Sequence, residues 1–190
     1  MAFPFIPLRR ATRQGPPLPV VMSGVRRGER VLQIGIDDPA IAGAIAATVG
    51  VSGRAAFAVA DEAAAAAARK AAENSMALAD VELASLPTLP FADATFDLVV
   101  LNARKGARAA LEPATLPRLL GEVHRVLRDG GRLVAMQPGT PAGLAGWLRS
   151  SKPVPGPDVA GGLGRSGFRA VRVLADREGY LFTEGLKATV

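Results

Sequence analysis

Short apolar runs recur along the chain and are separated by segments that suit helices. Runs of aliphatic residues bounded by turn residues are typical of strands that are buried on both faces of a parallel sheet. We predict five such strands, at residues 30–35, 55–60, 81–84, 96–101 and 132–136.

Helices are predicted between these strands. Asp38 followed by Pro39 favours a helix start, because Asp accepts hydrogen bonds from free backbone N–H groups and Pro fits the first helical turn. The alanine-rich segment 63–68 and the amphipathic segment 116–127 predict two more helices. The Gly- and Pro-rich region 141–164 predicts a mobile cover with two short helices, one of them around residues 144–150.

The end of the chain departs from this alternation. Two strand patterns, at residues 168–174 and 180–188, are separated only by residues 175–179, which predicts an antiparallel hairpin without a crossover helix. The whole pattern predicts an α/β fold: a doubly wound, seven-stranded, mostly parallel sheet with a C-terminal antiparallel hairpin. Such sheets bind ligands beyond the carboxyl ends of their strands.

Residues 1–24 differ from the remainder of the chain. They are rich in proline, show no sustained periodicity, and carry arginines that precede the first acidic residue, Glu29. We interpret residues 1–24 as a basic N-terminal arm and residues 25–190 as one domain. The arm is suited to dock on a protein partner or an anionic membrane surface, or to fold over its own domain.

Composition excludes several classes of protein. Of the 190 residues, 49% are apolar and 21% charged, which is typical of a folded domain, and no apolar stretch approaches the roughly 20 residues of a membrane-spanning helix. The chain has no cysteine and only one histidine, His124, so we expect no disulfide and no metal site. We expect a cytoplasmic protein. Its net charge of +6 accompanies no nucleic-acid-reading motif, so a nucleic-acid partner is not expected.

Two long motifs resemble those of a known family. Residues 122–134 read Glu-Val-His-Arg-Val-Leu-Arg-Asp-Gly-Gly-Arg-Leu-Val, and residues 89–100 read Leu-Pro-Phe-Ala-Asp-Ala-Thr-Phe-Asp-Leu-Val-Val. Both resemble class I S-adenosylmethionine-dependent methyltransferases, particularly the small type 11 group, as do Gly167-Phe168 and the segment 184–187. The resemblance runs from about Gly24 to the end. It implies a Rossmann-like methyltransferase fold, S-adenosylmethionine as cofactor, and methyl transfer to a small-molecule acceptor.

The cofactor loop departs from the pattern of the family. There the first strand ends in an acidic residue and a loop with three alternating glycines, and the corresponding positions here are Gln33, Gly35, Asp37 and Pro39. One glycine of the three remains. Proline cannot adopt the positive φ that glycine allows, because its ring holds φ near about −65°.

Two further acidic positions of the family are also changed. The residue that grips the cofactor's ribose corresponds to Val59, with Asp61 two residues later, and the residue near the adenine corresponds to Ser85. The resemblance thus implies that the cofactor-binding residues are Gly35, Ile36, Asp37, Asp61, Ser85 and Leu86.

Charge and position suggest roles for the remaining candidates. Asp37 and Asp38 would attract the cationic groups of S-adenosylmethionine and repel the pyrophosphate of a dinucleotide at the same helix N-terminus. The methyl acceptor is expected beyond the fourth strand, near Asn102 and the basic segment that includes Arg104, although both also suit a solvated loop. No catalytic residue is identified, since His124 belongs to a scaffold motif. The alternative is an inactive methyltransferase-fold protein that serves as a binding, assembly or regulatory partner.

Overall fold

A seven-stranded sheet organises the chain, of which the computed structural model describes residues 15–139 and 157–189. The strand order is β3-β2-β1-β4-β5-β7-β6. Strand β7 is antiparallel to both of its neighbours, and all other pairs are parallel, which confirms the predicted fold class. The strands are β1 (Arg30–Ile34), β2 (Arg54–Val59), β3 (Ala79–Leu83), β4 (Phe96–Asn102), β5 (Leu127–Pro138), β6 (Arg169–Arg177) and β7 (Tyr180–Leu186).

Helices cover both faces of this sheet. Buried residues of α1, α2 and α3 form the core on one face, and those of α4 and α5 form the core on the other. The helix predicted around residues 144–150 lies outside the described residues. The helices are α1 (Leu18–Ser23), α2 (Pro39–Val49), α3 (Glu62–Asn74), α4 (Leu116–Val126) and α5 (Val159–Arg165), with a 3-10 turn at Arg108–Leu111.

The start of α2 follows the sequence prediction. The Asp38 carboxylate accepts hydrogen bonds from the backbone N–H groups of Ala40 (2.8 Å) and Ile41 (3.3 Å), and Pro39 occupies the first turn. Gly50 ends the helix with a φ of 66°. Local capping chemistry thus fixes where the chain leaves β1 and enters α2.

The sequence pattern does not predict helix α1, which lies in the segment interpreted as an arm. Its Val20 and Ser23 are buried. The Arg132 guanidinium on β5 donates to the Gly24 carbonyl (2.5 Å) and pairs with Glu29 (2.8 Å). Burial alone would raise the pKa of Glu29, but hydrogen bonds from Arg132 and a backbone N–H hold that pKa below its usual value. Residues 18–23 therefore pack with the domain, and a six-residue helix is too short to show a period.

Strand β5 begins earlier than predicted. It starts at Leu127, directly after α4, and Leu127 pairs with Phe96 of β4. The pairing register then shifts before Leu98 meets Arg132. The Gly130-Gly131 pair is therefore an irregular part of the strand, in which Gly130 has a φ of 73°.

An arginine on α4 fixes the loop that leads into β4. Arg125 donates to the carbonyls of Phe91 (2.7 Å) and Leu89 (3.0 Å), and pairs with Asp93 (2.7 Å) and Glu122 (2.8 Å). The hydrogen bond from Arg125 outweighs burial and lowers the pKa of Glu122 to about 2. The scaffold motifs 89–100 and 122–134 thus contact each other through one charge network.

We predict that the change Glu122→Gln reduces stability in a pH-dependent way. The folded-state pKa of Glu122 lies below its ordinary value of 4.5, so its stabilising contribution is complete above that pH and is lost as the pH falls to about 2. Urea unfolding of the wild type and of Glu122→Gln, at several pH values between 4.5 and about 2, measures the effect. The difference in the free energy of unfolding is expected to narrow with falling pH, and a constant difference contradicts the assignment.

Candidate functional site

The candidate site lies at the carboxyl end of the sheet between β1 and β4. From β1 the chain winds outwards through β2 and β3, whereas β4 lies on the opposite side of β1. The loops that follow β1 and β4 therefore leave the sheet side by side, at the position where doubly wound sheets bind ligands. We call residues 35–38 the β1 loop, residues 103–107 the β4 loop, and the space between them the crevice.

Asp37 of the β1 loop binds the backbone of the β4 loop. Its Oδ2 accepts a hydrogen bond from the N–H of Arg104 (3.0 Å), and its Oδ1 accepts from the N–H groups of Lys105 (2.8 Å) and Gly106 (2.6 Å). Three successive peptide groups thus donate to one carboxylate, and bonds of this charge-assisted kind are stronger than neutral ones. The carboxylate expected to attract a cofactor cation is engaged within the chain.

The two loops are in direct backbone contact. A Cβ atom added to Gly35 would lie 2.6 Å from the carbonyl carbon of Gly106, and one added to Gly106 would meet the backbone nitrogen of Ile36. Gly35 has a φ of 70°, which also favours glycine. The Asn102 side chain at the end of β4 donates to the Gly35 carbonyl (2.9 Å) and is 5% exposed. The crevice is therefore closed by the chain's own backbone.

The β4 loop is also held from the opposite side. The Arg104 guanidinium lies over the ring of Tyr180, 4.2 Å from its centroid, and that ring stacks on Phe182 of β7. Arg104, expected on the acceptor side, thus makes a cation–π contact with the C-terminal hairpin.

Two further predicted cofactor residues, Ser85 and Leu86, line open space beside the crevice, whereas Asp61 does not. Ser85 and Leu86, after β3, face a cavity of about 350 Å³ whose other wall is the β4 loop and the 3-10 turn. Asp61 is the N-cap of α3, and its carboxylate accepts from the N–H of Ala64 (2.8 Å). The cavity is lined by Ala60, Ala84, Ser85, Leu86, Lys105, Gly106, Ala107, Ala109, Ala110 and Thr115.

Uncharged side chains occupy the two strand positions where the family carries acids. Gln33 is fully buried, and its Nε2 donates to the Ala42 carbonyl of α2 (2.9 Å). Its Oε1 has no hydrogen-bond partner among the described residues. Val59 is also fully buried, as the last residue of β2. Neither position can grip hydroxyl or ammonium groups as a carboxylate does.

The residues of the crevice do not fit S-adenosylmethionine, the cofactor that the resemblance implies. Backbone atoms of Gly106 lie against Gly35 and Ile36, where a ligand would otherwise approach the β1 loop. The carboxylate of Asp37 already accepts three hydrogen bonds.

His124 lies apart from the crevice on α4. Its ring packs edge-on against Phe168, with 5.2 Å between the ring centroids. Burial, with a smaller effect of the Lys187 charge, lowers the pKa of His124. These contacts are those of a packing residue.

Residues 15–139 and 157–189 hold neither a metal-ligand cluster nor a membrane-spanning helix. No group of three or more His, Cys, Asp or Glu residues there could hold a metal ion. No helix in the same ranges combines the length and the apolar character needed to cross a bilayer.

Sequence reasoning missed Gly106 and Tyr180. Gly106 follows two cations in a segment that was assigned to the acceptor side, and a lone glycine there gives no sign of a backbone contact with residues about 70 positions away. Tyr180 has no sequence signal that distinguishes it from a packing aromatic, and its contact with Arg104 depends on the sheet order. The backbone contact between the two loops, which leaves no room for a methyl group, becomes visible only once the fold is known.

Comparison with protein families gives a match to the methyltransferase domain over residues 26–135. A search of curated proteins finds no match.

Solved structures share the fold at low sequence identity. A SAM-dependent methyltransferase from Aquifex aeolicus is 17% identical with a TM-score of 0.68, and the match covers 88% of this chain and 86% of that one. One from Methanosarcina mazei is 18% identical with a TM-score of 0.61, over 90% and 98%. The [4+2]-cyclase SpnF is 16% identical with a TM-score of 0.62, over 91% and 79%.

We predict that the change Gly106→Ala lowers the free energy of unfolding by about 1–3 kcal/mol, the usual cost of overpacking. The φ of Gly106 is not positive, so the effect is steric and involves no backbone strain. Gly121→Ala is the matched control, because nothing lies within 4 Å of an added Cβ and Ala is the better helix former. Urea unfolding is expected to show a stabilised control and a destabilised Gly106 variant. Wild-type stability of that variant contradicts the close contact.

Proposed function

The chain belongs to the methyltransferase domain family, and from this premise we propose that it uses the scaffold as a binding, assembly or regulatory protein and does not transfer methyl groups. One observation carries the proposal: the backbone of the β4 loop lies against Gly35 and Ile36 in the crevice. A ligand that used this crevice would have to displace Gly106 and the three hydrogen bonds to Asp37.

Residue chemistry on the other strands supports the same proposal. Gln33 and Val59 are uncharged and buried, and the Asp61 carboxylate caps α3. A ligand's hydroxyl and ammonium groups lose affinity when their buried partners are missing, because each unpaired polar group costs about 1–3 kcal/mol. Two such losses together, about 2–6 kcal/mol, weaken binding by about 1.5 to 4 orders of magnitude.

The family's fold does not by itself determine a reaction. SpnF, a structural neighbour of this chain, is described as a [4+2]-cyclase, whereas the two other neighbours are described as SAM-dependent methyltransferases. The scaffold is thus found in proteins with different stated activities, so the fold is compatible with a role other than methyl transfer.

S-adenosylmethionine-dependent methyl transfer to a small-molecule acceptor is the second candidate. The cavity of about 350 Å³ beside Ser85 and Leu86 supports it, since sites for small molecules typically begin at about 300 Å³. In this candidate residues 104–106 have to leave the β1 loop, and Asn102 and Arg104 mark the acceptor side.

The N-terminal arm is the proposed partner surface. Arg9, Arg10 and Arg13 precede the described residues and give the segment a positive charge that suits an acidic protein or an anionic membrane. Deleting residues 1–14 leaves α1 in place. We expect the deletion to reduce co-sedimentation with anionic vesicles or retention of an acidic partner, and unchanged behaviour in both assays contradicts the proposal. The absence of cysteine supports a cytoplasmic location.

Calorimetric titration of the full chain with S-adenosylmethionine and S-adenosylhomocysteine tests the main proposal. We expect no saturable heat at ligand concentrations up to about 1 mM, which corresponds to binding weaker than about 4 kcal/mol. The Aquifex aeolicus methyltransferase, titrated in parallel, is the positive control. A dissociation constant below about 1 mM for this chain overturns the proposal and favours the second candidate.

A further inference from the structure

A single side chain holds the exposed part of the β4 loop. Asp37 accepts hydrogen bonds from the N–H groups of Arg104, Lys105 and Gly106 at 3.0, 2.8 and 2.6 Å. Arg104 and Gly106 are half-buried, and Lys105 is exposed. Their attachment to the β1 loop thus depends on one carboxylate and on the glycine contact described above.

The residues on both sides of this segment are fixed independently. Ala103 is 3% exposed and its N–H donates to the Met136 carbonyl (2.9 Å), whereas Ala107 is 2% exposed and donates to the Asn102 carbonyl (3.0 Å). Residues 104–106 can therefore leave the β1 loop without disturbing β4 or its neighbours. If they do, their amide groups meet water and are not left buried without partners.

The other contacts of the region do not replace Asp37. Asn102 donates to the Gly35 carbonyl and fixes the end of β4. The Lys105 carbonyl accepts from the N–H of Arg108 (3.2 Å), a bond to the 3-10 turn that does not attach residues 104–106 to the β1 loop. The guanidinium of Arg104 lies over Tyr180, and a long flexible side chain can keep that contact while its backbone moves.

We propose that Asp37 is a latch, a positioning residue that keeps the crevice closed, and that the protein has a second state in which residues 104–106 detach from the β1 loop. The inference rests on the proposed function, because it assumes that the closed crevice is the ground state of a protein that does not bind the family's cofactor there. Opening would join the crevice to the open cavity beside Ser85.

Amide hydrogen exchange, resolved residue by residue by NMR on the full chain, tests the latch. We compare wild type, Asp37→Asn and Asp37→Ala at one pH. The amides of residues 104–106 are expected to exchange about tenfold faster or more in Asp37→Ala, since strong charge-assisted bonds are lost. Asp37→Asn is expected to lie between the two, because its amide oxygen accepts hydrogen bonds without the charge.

Asp38→Ala is the matched control. It removes the neighbouring carboxylate and the hydrogen bonds to Ala40 and Ile41, but Asp38 makes no bond to the β4 loop. Exchange of the 104–106 amides is expected to stay at the wild-type rate in this variant. Amides of Leu98 and Leu101, in the centre of the sheet, show in every variant whether the fold is intact.

Trypsin provides a second readout, because it cleaves after Arg104 and Lys105. Cleavage at these bonds is expected to be faster in both Asp37 variants than in wild type and Asp38→Ala. Wild-type exchange and cleavage in Asp37→Ala overturn the latch. The latch is also overturned if exchange in Asp37→Ala is accelerated only through global unfolding, while Asp37→Asn exchanges at the wild-type rate. Binding of S-adenosylmethionine to the wild-type chain would instead overturn the proposed function, so the two failures are distinguishable.

Discussion

Close backbone contact between the β1 and β4 loops is the constraint on which the candidate site depends. The strand order brings the two loops together, since they leave adjacent parallel strands at the point where the winding reverses. Their contact is possible because both Gly35 and Gly106 lack a side chain where the segments meet. Once the backbones touch, the amide groups of the β4 loop need acceptors, and Asp37 supplies them. Contact and hydrogen bonding therefore support each other.

Most of the fold was predictable because its signals are local. Strand β4 is apolar along its length since both of its faces are buried, and the Asp38-Pro39 pair marks the start of α2 through capping chemistry alone. The predictions were weaker where local signals compete or are absent. Helix α1 is too short to show a period, and β5 begins at Leu127, before the predicted residue 132, because Leu127 pairs with Phe96 of β4.

The candidate site was predictable only as a place. The sequence located Gly35, Asp37, Asn102 and Arg104 at the carboxyl ends of β1 and β4, and the structure brings them together. The sequence does not indicate that Asp37 and the β4 loop bind each other, because the donors are backbone N–H groups 67 to 69 positions away. Every residue carries such a donor, so residue type cannot reveal which ones will converge.

Two consecutive aspartates explain why the backbone N–H donors beside this crevice have acceptors without a bound ligand. In doubly wound folds the helix after the first strand presents free N–H groups that a ligand can bind. Here Asp38 accepts from the first amides of α2, while Asp37 accepts from those of the β4 loop on the opposite side. These donors on both sides of the crevice are thus satisfied within the chain, and a carboxylate, Asp37, stands where the family has the second glycine of its loop. A small molecule that entered the crevice in this state would have to break charge-assisted bonds before forming its own, which is the physical basis of the proposed function.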